Sequence, residues 1–280
     1  MTPVDYDFLR KFLKERSGLD LSTDKQYLVE SRLLPVARKA GVAGIDELVQ
    51  KIKSGSSVIA AEVVDAMTTN ETFFFRDKLP FDHLRDTIIP EFLTTRANKR
   101  SIRIWCAAAS TGQEPYSIAM CLKEMSAQLA GWRIEMIATD ISPTVLDKCR
   151  AGIYSQFEVQ RGLPIQLLVK YFKQVGDVWQ LNADVRAMVQ FRSLNLLQDF
   201  ASLGKFDLIF CRNVLIYFDQ DMKTQIFGRL AKSLEADGFL ALGAAETVVG
   251  LTDAFKPHPD KRGLYLAGPG RVGTTMLRTG

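Results

Sequence analysis

Ala107-Ala-Ala-Ser-Thr-Gly-Gln-Glu-Pro-Tyr-Ser117 joins an apolar run at residues 102–106 to an amphipathic segment at residues 114–129. The run is expected to be a strand and the segment a helix, with small residues at the turn between them. Small side chains let backbone approach a ligand, and a helix N-terminus offers unpaired N–H groups. The turn is neither G-x-G-x-x-G nor a P-loop, because no Gly-Lys-Ser/Thr follows it. The helix begins with an acid, Glu114. An acid suits the positive end of a helix but repels a pyrophosphate, whereas an amine or sulfonium cation accepts it. That balance points to S-adenosylmethionine and away from NAD or ATP.

Outward from this turn the chain alternates. Strands are expected at residues 102–106, 133–139, 189–194, 207–211, 239–242 and 264–267, with helices at 143–150 and 219–235. Alternation implies a parallel sheet covered on both faces, with ligands at the carboxyl ends of its strands. Those ends carry residues 107–114, Asp140, Asn195, Arg212 and Asn213. Asp140 follows the turn by roughly the 20–30 residues at which an acid binds ribose hydroxyls. Asp140-Ile-Ser-Pro also reads as a helix cap. Arg212-Asn213 ends an apolar strand, where a structural ion pair and a ligand contact both fit. Before the sheet lies Asn70-Glu-Thr-Phe-Phe-Phe-Arg-Asp77. Three consecutive phenylalanines match neither strand nor helix periodicity and suggest a segment folded over a ligand. Core packing is expected of at least two of them.

The first 65 residues read as helices at 3–18, 25–40, 46–54 and 57–67. Pro35 lies inside the second, where it bends the helix or starts a new turn. Lys25, Arg32, Arg38 and Lys39 lie along that helix, either as a solvated face or as a docking surface for an acidic partner. The whole chain of 280 residues is 47% hydrophobic and 24% charged, with net charge +4, the composition of a soluble globular protein. No apolar run approaches the roughly 20 residues that span a bilayer. Met1-Thr-Pro-Val-Asp-Tyr-Asp7 lacks the regions of a signal peptide, so a cytoplasmic protein is expected. Cys106, Cys121, Cys149 and Cys211 are widely spaced in apolar runs and read as reduced packing residues. With only His83 and His258, far apart, neither a metal site nor a histidine-based triad is expected.

Four stretches in order carry a resemblance. They are Asn70-Glu-Thr-Phe-Phe-Phe-Arg-Asp77, Ile104-Trp-Cys-Ala-Ala-Ala-Ser-Thr-Gly-Gln-Glu-Pro-Tyr-Ser117, Ala138-Thr-Asp-Ile141 and Phe210-Cys-Arg-Asn-Val-Leu-Ile-Tyr-Phe-Asp219. Together they resemble the chemotaxis receptor methyltransferases, the CheR family, over residues 5–267. The resemblance implies an α/β fold in which a Rossmann-like S-adenosylmethionine-dependent methyltransferase domain (76–267) follows an all-α receptor-docking domain (1–75). It also implies a small inserted β-subdomain at about 169–191. Residues 268–280, without apolar periodicity, read as a disordered tail. The implied activity is methyl transfer from S-adenosylmethionine to glutamate carboxylates in the cytoplasmic helical region of chemoreceptors. The product is S-adenosylhomocysteine, and the implied enzyme is a monomer with no nucleic-acid partner and no membrane insertion.

The resemblance further implies cofactor contacts at Asn70, Thr72, Arg76, Glu114, Asp140, Asn195, Leu196, Arg212 and Asn213. It places Arg76 and Tyr217 nearest the reacting groups. Arg32, Arg38 and Lys39 are the expected receptor-docking cations. Well-known members carry a longer glycine-containing loop that grips a tethering pentapeptide at a receptor's tail. Here Tyr171-Phe-Lys-Gln-Val-Gly-Asp-Val-Trp-Gln-Leu181 is shorter. Two other classes share parts of the pattern. A nucleic-acid methyltransferase favours Asn/Asp-Pro-Pro-aromatic where this chain has Asn213-Val-Leu-Ile. A non-catalytic S-adenosylmethionine-binding signalling module has no use for Tyr217.

Overall fold

The computed structural model describes residues 1–268. Four helices come first: α1 (Pro3–Ser17), α2 (Gln26–Lys39), α3 (Ile45–Lys53) and α4 (Ser57–Met67). Their ends follow local chemistry. The Thr2 hydroxyl accepts the Asp5 N–H at the start of α1, Pro3 sets its first turn, and Gly18 closes it in the left-handed region. The Ser56 hydroxyl caps α4. Pro35 sits within a continuous α2, so it does not start a new turn there. The four helices enclose a core of their own, built from residues such as Leu9, Leu13, Val29, Leu33, Leu48 and Val63.

The rest is built on a seven-stranded sheet. Helices α5 (Leu79–His83) and α6 (Ile89–Thr95), joined by a π-helical turn at Leu84–Ile88, precede β1 (Ser101–Ala107). Then come α7 (Gln113–Glu124), β2 (Arg133–Asp140), α8 (Pro143–Ala151), β3 (Ile153–Ser155), α9 (Gln156–Gln160) and α10 (Ile165–Tyr171). They are followed by β4 (Phe172–Val175), β5 (Val178–Leu181), α11 (Ala183–Arg186), β6 (Val189–Ser193) and β7 (Phe206–Cys211). The last elements are α12 (Gln220–Lys232), β8 (Leu234–Leu242), β9 (Phe255–Pro257) and β10 (Leu264–Ala267). The large sheet runs β6-β2-β1-β7-β8-β10-β9 and the small one β3-β5-β4.

Strands β6, β2, β1, β7 and β8 are parallel, as expected, but β10 and β9 run antiparallel to their neighbours. The parallel pattern fails there because the chain returns from β8 without a crossover helix. Side chains alternate between two buried faces. Ile104, Cys106, Met136, Leu208 and Phe210 point into one core, and Trp105, Ala107, Ile137, Ile209 and Cys211 into the other. Register aligns the carboxyl ends: Ala107 pairs with Thr139 and with Cys211, Asp140 with Ser193, and Cys211 with Leu242.

Three expected boundaries move. The helix read through residue 129 stops at Glu124, and turns carry the chain to β2. The helix read to residue 235 stops at Lys232, because Leu234 already pairs with Phe206 across a register shift in β8. The small sheet takes its third strand from Ile153–Ser155, upstream of the expected 169–191 segment, while Val189–Ser193 joins the large sheet. At the other end of the chain, the Gly268 N–H donates to the Ala254 carbonyl at 2.7 Å. The remainder of the expected tail, residues 269–280, lies outside the described residues.

Candidate active site

A cavity opens over the carboxyl ends of the parallel strands, where ligands of such sheets bind. All ten residues singled out around the cofactor and the reacting groups line it: Asn70, Thr72, Arg76, Glu114, Asp140, Asn195, Leu196, Arg212, Asn213 and Tyr217. The helical domain supplies part of the wall through Ser17, Leu19 and Met67.

The backbone is unusual at this place. Among the described residues, seven non-glycine residues have positive φ, and all but Arg100 cluster here. Ala108, Ser110 and Asn213 line the cavity, while Phe75, Asp77 and Lys78 flank Arg76. Such conformations cost of order 1–3 kcal/mol each and persist only where surrounding contacts over-determine them. Those contacts are visible. The Ser110 hydroxyl donates to the Asn70 carbonyl at 2.8 Å, and the Phe75 N–H donates to the Ser117 hydroxyl at 3.0 Å. Gly112 turns the chain into α7 at φ 95°, and a Cβ there would lie 3.0 Å from the Tyr154 hydroxyl. Of the three phenylalanines, Phe74 is fully buried against Tyr154 and Phe172, and Phe75 packs edge-on against Phe81.

Ser142, not Asp140, caps α8; Asp140 instead binds backbone N–H groups on two turns. Its Oδ1 accepts the Ser142 N–H at 3.0 Å and its Oδ2 the Ser110 N–H at 2.8 Å, which ties the β1 turn to the β2 turn. It also lines the cavity, and a carboxylate has more acceptor sites than these N–H groups fill. Burial raises its carboxyl above the ordinary value against the lowering effect of those N–H groups.

Arg212 differs from a free ligand contact. Its guanidinium donates to Glu114 Oε2 at 2.7 Å, to Asp77 Oδ2 at 2.7 Å and to the Arg76 carbonyl at 2.9 Å, with its side chain 1% exposed. It acts as a buried hub that holds Glu114 and the Arg76 turn in place. Burial raises the Glu114 carboxyl, opposed by Arg212. Glu114 Oε1 makes no hydrogen bond among the described residues and remains open to a ligand donor.

The Asn195 amide is likewise engaged by protein. Nδ2 donates to the Arg16 carbonyl at 2.7 Å and Oδ1 accepts the Leu197 N–H at 3.0 Å. Asn195 therefore joins the helical domain to the cavity wall. Tyr217 is held in a similar way, since its carbonyl accepts the Asp20 N–H at 3.0 Å. The Arg76 guanidinium donates to the Glu71 carbonyl at 2.9 Å.

Glu246 was absent from the sequence reading. Its carboxylate accepts the N–H groups of Asn213, Val214, Leu215 and Gly243 at 2.8–3.0 Å, so one buried side chain shapes the whole Asn213–Tyr217 turn. The signal was present, because Glu246 lies just beyond the carboxyl end of a strand, the position that drew attention to Asp140.

The docking cations separate. Arg32 departs from the expected free surface charge: its guanidinium donates to the Met67 and Thr68 carbonyls at 2.7 and 3.0 Å and to Thr69 Oγ1 at 3.1 Å. It braces the chain entering Asn70. Lys39 pairs with Glu62 at 2.6 Å but remains 74% exposed. Arg38 is exposed, and its side chain makes no hydrogen bond or ion pair among the described residues.

The family model described as "CheR methyltransferase, SAM binding domain" matches residues 70–264, and "CheR methyltransferase, all-alpha domain" matches residues 4–68. Among curated relatives, "Chemotaxis protein methyltransferase 1" of Vibrio cholerae is 45% identical over 89% of this chain and 91% of its own length. "Chemotaxis protein methyltransferase Cher2" of Pseudomonas putida is 43% identical over 90% and 94%. "Chemotaxis protein methyltransferase 1" of Pseudomonas aeruginosa is 41% identical over 90% and 93%. With both family domains matched end to end around this cavity, the chain belongs to the CheR methyltransferase family.

Proposed function

We infer that the chain methylates glutamate side chains of chemoreceptors, with S-adenosylmethionine as donor, in chemotaxis adaptation. The observation that carries this reading is the convergence of both domains on one cavity lined by three carboxylates (Glu71, Glu114 and Asp140), two guanidiniums (Arg76 and Arg212) and the Tyr217 phenol. The cavity suits the donor. Asp140 offers lone pairs to ribose hydroxyls, Glu114 Oε1 offers an acceptor to an amine, and Ala108, Ala109 and Leu196 give an apolar wall. The donor supplies a methyl group on a sulfonium, which a carboxylate oxygen takes as the carbon–sulfur bond breaks and a neutral thioether leaves.

The chain's own task is placement. A carboxylate is ionised at neutral pH and needs no general base, so the absence of a histidine from the cavity lining is no obstacle. Arg76 is assigned to pin a carboxylate, for which a planar guanidinium fork is suited. Tyr217 is assigned to orient the acceptor beside it. Asn70, Thr72, Asn195, Leu196 and Asn213 form the remaining cofactor wall, and Arg212 acts through Glu114. An acceptor carboxylate seated between these walls would give up part of its hydration there.

Arg38 and Lys39 are assigned to the acidic helical surface of the receptor, with Arg32 bracing the segment behind them. Among the described residues no helix is long and apolar enough to cross a membrane. The enzyme is taken to act as a cytoplasmic monomer at the receptor's cytoplasmic helices. Incubation with radiolabelled S-adenosylmethionine and receptor-bearing membranes tests the reading. Label should enter receptors as base-labile methyl esters. Label confined to added nucleic acid, or absent from receptors, would overturn it.

A further inference from the structure

We infer that Arg161 forms a second carboxylate subsite beside the cavity, where it engages an acidic side chain of the acceptor helix and helps select which glutamate is methylated. The inference rests on the receptor-methylating reading of the cavity. Arg161 lies in the turn between α9 and α10, and that turn is pressed onto the Asn70–Asp77 segment. At Gly162, with φ 83°, a Cβ would stand 2.1 Å from the Phe74 carbonyl oxygen and 3.0 Å from the Phe73 ring. No side chain fits there, so glycine allows the close approach that seats its neighbour.

The seat is specific. The Arg161 guanidinium carbon lies 4.5 Å from the Phe73 ring centroid, and that of Arg76 lies 5.7 Å from the same ring. Two guanidiniums therefore share one aromatic ring, and one of them lines the cavity. Stacking holds a guanidinium in place while its edge stays free for a carboxylate. The only carboxylate paired with either of them among the described residues is Glu71, 2.8 Å from Arg161. Both partners of that pair are exposed, at 41% for Arg161 and 63% for Glu71, so it is weak and exchangeable. Asp77 is turned away onto Arg212. The corner thus offers a guanidinium held only by an exchangeable pair, that of Arg161, next to the cavity wall at Glu71. A helix that brings one glutamate into the cavity presents its other acidic side chains to this corner.

The test uses the full chain with receptor-bearing membranes. Arg161→Ala should raise the KM for receptor about three- to fivefold, the range of an exposed ion pair. Turnover, the affinity for S-adenosylhomocysteine and the melting temperature should be unchanged. Co-sedimentation with the membranes should weaken at low salt and match wild type at high salt. Glu71→Gln keeps a hydrogen-bond acceptor for Arg161 but removes the competing charge, so it should lower the KM about twofold. An unchanged KM in Arg161→Ala, or a rise matched by weaker S-adenosylhomocysteine binding or a lower melting temperature, would overturn the subsite. A KM that stays the same or rises in Glu71→Gln would do so as well. A wild-type enzyme that labels no receptor removes the methyltransferase reading itself, whereas active wild type with an equal Arg161→Ala removes only this inference.

Discussion

Replacing Asp140 by Ala removes a charge-assisted acceptor and leaves the Ser110 and Ser142 N–H groups unpaired. Binding of S-adenosylhomocysteine should weaken by about 1–3 kcal/mol. Unchanged calorimetric affinity would take Asp140 out of the ribose role. Acid should act in the same direction. Burial raises the carboxyls of both Asp140 and Glu114, so the folded chain holds these protons more tightly than the unfolded chain does. Their contribution to stability is therefore full below the unfolded value and is lost as pH rises towards the raised folded value. Ligand binding runs the opposite way, because the ionised forms accept hydrogen bonds from ribose or an amine more strongly than the protonated forms do. Affinity measured down a pH series should start to fall at a higher pH than an ordinary carboxylate would cause. Flat affinity into the ordinary carboxylate range would contradict this. At the reacting end, Arg76→Ala and Tyr217→Phe should lower turnover while leaving the melting temperature close to wild type. Activity loss fully accounted for by unfolding would sink their assignment. The residue types at these strand ends were legible in the sequence because a buried polar group there needs a reason. A structural ion pair at Arg212 was one of its two readings, but its partners could not be read, since Glu114 and Asp77 stand 98 and 135 residues away along the chain.

Helix α2 carries the cations proposed for receptor docking. Its cations were visible as a run, but a run does not say which of them are free. Arg32 turns inward onto the Met67 and Thr68 carbonyls, which only folding reveals. Arg38→Glu should therefore raise the KM for receptor without altering cofactor affinity, and the effect should shrink with salt. The Arg38→Ala, Lys39→Ala double variant should behave alike in milder form. Equal receptor methylation by wild type and this double variant at low salt would refute the surface. Arg32→Ala should differ from both by also weakening cofactor binding, because it loosens the approach to Asn70. At this scale the strands with buried faces and the capped helices were readable from apolar runs, Ser/Thr caps and glycine stops. Antiparallel β9 and β10 were harder: three- and four-residue strands show too little periodicity to reveal direction. The π-helical turn at Leu84–Ile88 carries no local sequence signal either.

Across the whole molecule, the two domains are joined at the cavity itself. Gly18 sits so close to Phe218 that a Cβ would fall 2.3 Å from its ring, and Lys14 pairs with Asp219 at 2.8 Å. Asp65 accepts hydrogen bonds from Ser142 and from Thr144. A receptor helix docked as proposed on the first domain would be referred directly to the Tyr217 turn of the second. Such an arrangement can select its substrate through the helical contact alone, which bears on the small sheet. That sheet is a hairpin, β4 and β5, closed by the two-residue turn Gly176-Asp177, with β3 on its far side. Edge strand β4 is exposed from Lys173 to Val175 and offers backbone to an added strand. Binding a peptide there also needs walls and pockets for its alternate side chains, and a two-residue turn supplies no loop to form them. Methylation should accordingly not depend on a pentapeptide at the receptor's tail. Free pentapeptide should show no calorimetric binding at high micromolar concentration, and receptors lacking their tails should be methylated at the full rate. Micromolar binding would establish that the bare edge suffices, and a rate lost on tail removal would move recognition from α2 to the small sheet.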